Sequence, residues 1–276
     1  MKRFFAGFQL LLLSICATSA FAADFSEGEY GVRISGPIVK GDYARFREYL
    51  LDGPRFLRFS RVWLSSPGGD VTEALKFANL FDKAFIPTWV GPMDTCASSC
   101  FIMWAGGVER TVMSTGWLGV HRITLRDSES DIQKAKGMIS PLASDVSKYL
   151  AELGIPRALI DKMNETPASG IYRFDSLDIN SNGWYLALNY QPIYLDLAEK
   201  TCGRFPDPYP GQTVREKPRD AETTTKIKDW TDCLQRVRVS NRGRFFREEE
   251  RAAEQGRQTL LYTKEKLPSI REAFKF

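Results

Sequence analysis

The middle of the chain alternates short apolar runs with longer amphipathic stretches, and glycine-rich turns separate them. Residues 61–64 form an apolar run that leads into a turn at 66–70, after which apolar residues recur at helical spacing over 71–81. A short apolar run ended by Pro and Gly is typical of a buried strand, and the longer periodic stretch is typical of a helix. Strands that alternate with helices favour a parallel or mixed sheet covered by helices. The sequence therefore predicts an α/β fold.

The same order of segments recurs further along the chain. The predicted segments are a strand over 86–90, a loop over 92–95, a buried helix over 98–105 and a strand over 116–121. The last of these strands ends at His121. Beyond it, the pattern predicts a long helix from about 130 to 153, interrupted by Pro141, and a short helix over 158–163.

Composition limits the classes of function. The chain has 276 residues, of which 43% are hydrophobic and 26% are charged, so we expect a packed core rather than disorder. The net charge of +4 is small, and no basic block is interleaved with aromatic residues, so nucleic acid is not predicted as a partner. The basic excess falls in residues 196–276, a Pro-rich and charged C-terminal extension that we separate from a domain at 23–195.

The sequence contains one histidine, His121. This count excludes His-rich metal sites, histidine pairs and the HExxH motif of zinc proteases. Any chemistry that needs an imidazole must therefore use His121, and no cofactor or metal is predicted.

Residues 1–22 have the features of a secretory signal peptide. A basic start precedes an apolar run at 10–15, and small residues up to Ala22 suit cleavage there. The run is about half the roughly 20 residues that a membrane-spanning helix needs, so no stable transmembrane span is predicted. A lipid-anchored variant would use Cys16, but Ile15 stands where a small residue is expected. The sequence therefore predicts a periplasmic or secreted protein.

Export implies an oxidising compartment, in which cysteines form disulfides. The sequence has five cysteines, and loss of Cys16 with the signal peptide leaves Cys96, Cys100, Cys202 and Cys233. Three connectivities are open to four cysteines. We favour the pairs 96–100 and 202–233, because each pair stays inside one segment of the chain. Free buried thiols are the alternative.

Four motifs follow one another along the middle of the chain. They are Ser65-Ser66-Pro67-Gly68-Gly69, Cys96-Ala97-Ser98-Ser99-Cys100, Ala105-Gly106-Gly107-Val108-Glu109-Arg110 and Leu118-Gly119-Val120-His121-Arg122. In this order they resemble the core of the Clp proteolytic subunit (ClpP) and its crotonase-like superfamily. The resemblance covers about residues 30–190 and is nearest to a periplasmic ClpP-like branch with a C-x-S-x-C signature. It implies a ClpP/crotonase-like fold of repeated β-β-α units, with the extension outside it.

The resemblance also implies a serine-type hydrolase, and specifically a peptidase. In that superfamily the glycine turn supplies an oxyanion-hole amide, a serine opens a buried helix, and a histidine ends the next strand. These roles fall on Gly68 and Gly69, on Ser98, and on His121. Acyl transfer needs the same parts, because a serine hydroxyl must lose its proton to a base and the oxyanion must meet fixed donors. The amide of Ser99, at the start of the helix, would be the second donor.

The two serines and the two glycines also have simpler interpretations. Either serine could be only a helix N-cap. Ser99 is the alternative nucleophile, although Ser98 keeps the superfamily's spacing to the small residues that follow. Gly68 and Gly69 could serve only to turn the chain.

The cysteines beside the serines have two interpretations besides a catalytic thiolate. A disulfide between Cys96 and Cys100 would pin the loop that carries the nucleophile. Zinc bound by Cys96, Cys100 and His121 is the other alternative.

No carboxylate occupies the place of the superfamily's triad acid. That place falls on residues 167–172, which contain neither Asp nor Glu. The candidates nearest in sequence are Asp161, Glu165 and Asp175, with Asp178 beyond them, and each is more simply a surface charge. The site is therefore a dyad, a triad with a recruited acid, or inactive.

Two classes of function remain open. The first is an exported serine peptidase that forms an acyl-enzyme on Ser98 with His121 as base. The second is a catalytically inactive ClpP-like scaffold that binds peptides or partner proteins in the same groove. The long helix at 130–153 stands where the superfamily has its oligomerisation handle, so the resemblance also implies a homo-oligomer.

Overall fold

The protein is described from a computed structural model, which covers residues 22–28, 31–51, 61–124, 132–206 and 221–262. The predicted signal peptide lies outside the described residues except for Ala22. None of the helices within these ranges has the length and apolarity to cross a membrane.

Strands and helices alternate through the described part of the chain. The strands are β1 (Asp24–Gly28), β2 (Gly31–Ser35), β3 (Arg61–Ser65), β4 (Thr88–Val90), β5 (Thr95–Ala97), β6 (Arg110–Val112), β7 (Trp117–Val120) and β8 (Tyr172–Phe174). The helices are α1 (Asp42–Leu51), α2 (Val71–Lys83), α3 (Ser99–Ala105), α4 (Ile132–Glu152), α5 (Arg157–Glu165), α6 (Ser176–Ser181), α7 (Tyr185–Asn189), α8 (Pro192–Cys202) and α9 (Ala221–Tyr262).

The strands form two sheets that meet at one point. The larger sheet has the order β1-β2-β3-β4-β6, in which β1 is antiparallel to β2 and the other neighbours are parallel. The smaller sheet has the order β5-β7-β8, with β5 parallel and β8 antiparallel to β7. A backbone bridge between Ser66 and Cys96 joins the end of β3 to β5. The predicted α/β fold with a mixed sheet and covering helices is confirmed.

Helix α2 forms where the periodicity predicts it, because a cap fixes its first turn. The carboxylate of Asp70 accepts a hydrogen bond from the backbone N–H of Glu73 at 2.9 Å. The apolar side of α2 then buries Phe77 and Phe81 against the sheet, where Phe77 packs on Phe46 of α1 with ring centroids 5.2 Å apart. This aromatic core holds the helix layer on the sheet.

Two segments differ from the sequence prediction. Residues 95–97 form β5, although the sequence predicts a loop over 92–95, because backbone partners on both sides complete a ladder that so short a run cannot reveal. Helix α4 continues through Pro141, where the sequence predicts an interruption. Pro141 removes one backbone donor, and this loss does not end the helix.

The C-terminal extension packs on the preceding part of the chain. The sequence-based boundary at 195/196 lies inside α8. Tyr194 of α8 and both Trp230 and Leu234 of α9 bury against Val108 in a second hydrophobic cluster. The described part of the extension therefore shares a core with the domain.

A disulfide and an ion pair fix α9 in this position. Cys202 and Cys233 form a disulfide with Cα atoms 5.8 Å apart, which joins α8 to α9. The guanidinium of Arg238 donates to the carboxylate of Glu109 at 2.6 Å, and only 7% of the Arg238 side chain is exposed. An ion pair this buried depends on keeping both partners, because removal of one leaves an uncompensated charge.

Trp230→Ala should lower the free energy of unfolding by about 3–5 kcal/mol, because it removes a buried aromatic side chain and leaves a cavity. Trp230 is 4% exposed, and its indole N–H donates to the carbonyl oxygen of Gly203 at 3.0 Å. Chemical denaturation followed by far-UV circular dichroism measures the loss. Val239→Ala on the same helix is the control, since Val239 is 46% exposed and its truncation should cost within about 0.5 kcal/mol. Equal losses would contradict a shared core.

Stability should fall as the pH rises above about 10, and Tyr194→Phe should make that fall less steep. Burial, and then the charge of Glu109, raise the pKa of Tyr194 above its ordinary value. The unfolded chain then releases a proton near pH 10 that the folded protein retains, so the stabilisation present below about pH 10 is lost above it. Each such tyrosine contributes up to about 1.4 kcal/mol per pH unit. Unfolding free energies measured from about pH 9 to 11 test this, and parallel curves for the two proteins would contradict it.

Candidate active site

Three parallel strand segments reach the same edge of the structure. β3 leads into the turn at 66–69, β5 leads into Ser98, and β7 leads into His121. The backbone N–H of Ala97 donates to the carbonyl oxygen of Ser66 at 3.0 Å, and that of Ser98 donates to the carbonyl oxygen of Gly119 at 2.8 Å. Because parallel strands present their carboxyl ends on one side, the turn, Ser98 and His121 lie at one edge.

Ser98 and His121 are neighbours across this ladder without being bonded. Ser98 directly follows β5 and His121 directly follows β7, and the ladder between these strands pairs Ala97 with Gly119. Both residues are half-buried, and no side-chain hydrogen bond joins these two described residues.

Ser98 has a backbone conformation that side chains rarely adopt. Its φ is 57° and its ψ is −128°, and it lies between β5 and the first residue of α3. Such a conformation in a residue other than glycine costs on the order of 1–3 kcal/mol and persists only where the surroundings enforce it. Its side chain makes no capping hydrogen bond to α3. Ser98 therefore occupies the N-cap position of α3 without capping it through its side chain.

Gly68 approaches Ser98 closely. Its φ is +95°, and a Cβ placed on it would lie 2.6 Å from the Cβ of Ser98 and 2.6 Å from the carbonyl oxygen of Ala97. No larger residue fits there without moving the serine. The glycine turn therefore forms one wall of the site, as well as reversing the chain.

The amides of the turn are both engaged by serine side chains. The N–H of Gly68 donates to the hydroxyl oxygen of Ser66 at 3.0 Å, and the N–H of Gly69 donates to the hydroxyl oxygen of Ser99 at 2.7 Å. Ser66 and Ser99 are each 2% exposed. The Ser99 side chain thus lies inside the protein, where its hydroxyl oxygen accepts the hydrogen bond of the Gly69 amide.

The ring of His121 is oriented by the backbone. Its Nδ1 lies 2.9 Å from the carbonyl oxygen of Arg122. A carbonyl oxygen only accepts, so Nδ1 is the donor, and in the neutral ring Nε2 is the nitrogen that can take a proton. The N–H of Arg122 in turn donates to the carbonyl oxygen of Thr166 at 3.0 Å, which anchors this peptide.

The candidate acids have partners other than His121. Asp161 pairs with Arg157 at 2.8 Å, and Glu165 lies 3.7 Å from Lys162. Asp175 caps α6 by accepting from the backbone N–H groups of residues 177 and 178, and the Asp178 carboxylate accepts from the N–H of Asp175. Because β8 is antiparallel to β7 and pairs Tyr172 with Val120, Asp175 lies at the end of β8 remote from His121. Among the described residues, no carboxylate hydrogen-bonds to the histidine ring.

Cys96 and Cys100 form a disulfide that spans the serines, with Cα atoms 5.1 Å apart. Both pairs of cysteines thus follow the local connectivity that the sequence favours. The disulfide at 96–100 is fully buried and links β5 to α3 on either side of Ser98. Its sulfurs are not thiolates, so they are not available to bind zinc, and the described residues contain no cluster suited to a metal ion.

Sequence reasoning missed two contributors to the site. Ser66 satisfies the amide of Gly68, and the carbonyl of Arg122 orients the histidine. The Ser-Pro-Gly-Gly motif carries a signal for the first, since a serine two residues before an amide is a common turn partner. Nothing in a sequence identifies a backbone carbonyl as a partner, so the second depends on the fold.

Comparison with known proteins gives partial structural similarity. No family model matches the chain, and no curated protein matches it in sequence. Among solved structures, a membrane-bound stomatin-specific protease, 1510-N, is similar over 55% of this chain and 74% of its own, with 15% identity and a TM-score of 0.42. ClpP1 from Listeria monocytogenes is similar over 56% of this chain and 87% of its own, with 14% identity and a TM-score of 0.44.

Gly68→Ala should destabilise the protein more than Gly41→Ala. The two glycines have nearly the same φ, +95° and +96°, but a Cβ on Gly41 meets nothing within 4 Å. Gly41→Ala therefore costs only the backbone strain, about 1–2 kcal/mol. Gly68→Ala should cost at least about 1 kcal/mol more, because the methyl group displaces Ser98. Denaturant unfolding of both variants measures the difference. Equal losses of unfolding free energy would show that a Cβ at position 68 does not clash with Ser98.

Proposed function

We propose that this protein is an exported serine-type hydrolase, and specifically a peptidase, with Ser98 as nucleophile and His121 as general base. The observation that carries the proposal is the strained backbone of Ser98 at a strand-to-helix turn, together with a hydroxyl that caps nothing. A sharp, strained turn of this kind projects the nucleophile out of the chain in other serine hydrolases. A serine with a purely structural role has no need of that conformation.

The reaction would proceed through an acyl-enzyme. The Ser98 oxygen attacks the substrate carbonyl carbon while its proton passes to Nε2 of His121. Collapse of the tetrahedral oxyanion breaks the C–N bond, and the proton moves from His121 to the leaving amine. Water then attacks the acyl carbon and gives a proton to His121. His121 passes this proton to the Ser98 oxygen as the ester C–O bond breaks, which releases the carboxylic acid and restores the free serine.

The hydrogen bond from Nδ1 of His121 to the Arg122 carbonyl supports a Ser-His dyad. It selects the tautomer in which Nε2 is the base, which is one part of what a triad acid does. A neutral carbonyl stabilises the imidazolium less than a carboxylate does. We therefore expect slower turnover than a Ser-His-Asp triad gives.

The remaining parts of the proposal concern location and partners. Two disulfides favour an oxidising compartment, consistent with export to the periplasm or the exterior after cleavage near Ala22. The substrate would be a peptide or protein, bound against the strand edges beside Ser98. Self-association of the chain follows only from the resemblance of its sequence motifs to ClpP.

A catalytically inactive scaffold is the competing function, and one observation favours it. The amides of Gly68 and Gly69 donate to Ser66 and Ser99, so in this conformation the glycine turn offers no free donor to an oxyanion. Such a protein would still bind peptides along the same edge.

A fluorophosphonate probe separates the two functions. We expect Ser98 to be labelled in the full chain, Ser98→Ala to abolish labelling, and His121→Ala to slow it by about 100-fold or more. Ser181→Ala is the control, because that hydroxyl donates to the carbonyl oxygen of Leu177 on α6 and should not affect labelling. Circular dichroism would establish that each variant is folded. Absence of labelling in the unaltered protein would favour the scaffold.

A further inference from the structure

We propose that the Ser99 hydroxyl is a positioning group. Without substrate it accepts the hydrogen bond of the Gly69 N–H, and when substrate binds it turns away so that this N–H donates to the substrate's carbonyl oxygen. This inference rests on the proposed hydrolase function and concerns how its oxyanion hole is completed. The hydroxyl oxygen of Ser99 lies 2.7 Å from the nitrogen of Gly69.

The amide of Gly69 can serve one acceptor at a time. A backbone N–H has a single hydrogen, so while the Ser99 oxygen accepts it, an oxyanion cannot. Ser99 is 2% exposed. The Gly69 amide, which donates to Ser99, belongs to the turn that lies against Ser98. The hydrogen bond to Ser99 therefore satisfies this partly buried donor while substrate is absent, and such a donor is costly to leave without an acceptor.

Exchange of the acceptor favours the transition state. The Ser99 oxygen is neutral, whereas the oxygen of a tetrahedral intermediate is anionic and forms shorter and stronger hydrogen bonds with the same donor. Rotation about one side-chain bond is enough to move the hydroxyl away. The Gly69 N–H thus donates to the oxyanion as negative charge develops on it. A hydrogen bond that strengthens in the transition state raises the reaction rate.

The amide of Ser99 itself is the second donor of the pair. It is the first amide of α3, a position that has no partner inside its own helix, and among the described residues it donates to no carbonyl oxygen. A Cβ on Gly68 would lie 3.0 Å from this nitrogen. The Ser99 nitrogen therefore lies beside the glycine turn and next to Ser98.

Ser66 provides the matched contrast. Its hydroxyl accepts from the next amide of the same turn, that of Gly68, at 3.0 Å, and it is equally buried. Its backbone is held on both sides, because its N–H donates to Thr95 and its carbonyl accepts from Ala97. Ser66 therefore holds the turn in place, whereas Ser99 accepts the hydrogen bond of the Gly69 N–H that the oxyanion would need.

The test compares the second-order rate of fluorophosphonate labelling of Ser98 in the full chain and two variants. Ser99→Ala should label about three- to tenfold faster, because the adduct's oxygen no longer competes with a hydroxyl for the Gly69 amide. Ser66→Ala should label at the same rate or more slowly, since it only loosens the turn. A purely structural role for Ser99 would leave the labelling rate of Ser99→Ala equal to or below that of the wild type.

A crystal structure of the wild-type phosphonate adduct gives a second measurement that needs no variant. The adduct's oxygen should lie about 2.7–3.1 Å from the Gly69 nitrogen, with the Ser99 hydroxyl turned away. An adduct in which Ser99 keeps the amide, or a Ser99→Ala rate equal to or below wild type, overturns this inference and leaves the hydrolase standing. No adduct on the wild-type protein overturns the hydrolase and the inference together.

Discussion

The backbone ladder that runs from β3 through β5 to β7 is the interaction on which the rest of the site depends. Ala97 donates to Ser66, and Ser98 donates to Gly119, so each strand end is fixed to the next by main-chain hydrogen bonds. These bonds do not depend on side-chain identity, and they bring a glycine turn, a serine and a histidine to one edge. Without them, residues 30 positions apart in sequence would have no fixed relation.

The strain at Ser98 is sustained by what surrounds it. Helix α3 is buried on every side, the disulfide between Cys96 and Cys100 joins the segments before and after the serine, and Gly68 closes the remaining space. A conformation that costs free energy locally persists when its neighbours leave no alternative. The same enclosure explains why Ser99, one residue later, points inward and bonds to the turn while Ser98 does not cap its helix.

The fold was predictable from the sequence, whereas the hydrogen bonds within the candidate site were not. Apolar runs and glycine turns predict β3, α2 and β7, because burial and chain reversal act over a few neighbouring residues. They do not predict β5, whose three residues become a strand only through partners on both sides. They also do not record that Trp230 packs against Val108 and that Arg238 pairs with Glu109, because these are long-range contacts.

The sequence by itself determined the kinds of group available: one imidazole, paired serines between two cysteines, and a diglycine turn with no acid where a triad would place one. Only the tertiary structure decided how they are used, since the tautomer of His121 is set by the carbonyl of Arg122 and the Gly69 amide is held by Ser99. The physical reason is that residue type fixes which atoms can donate or accept. Partner choice depends on distances between strands and turns that only the folded chain defines.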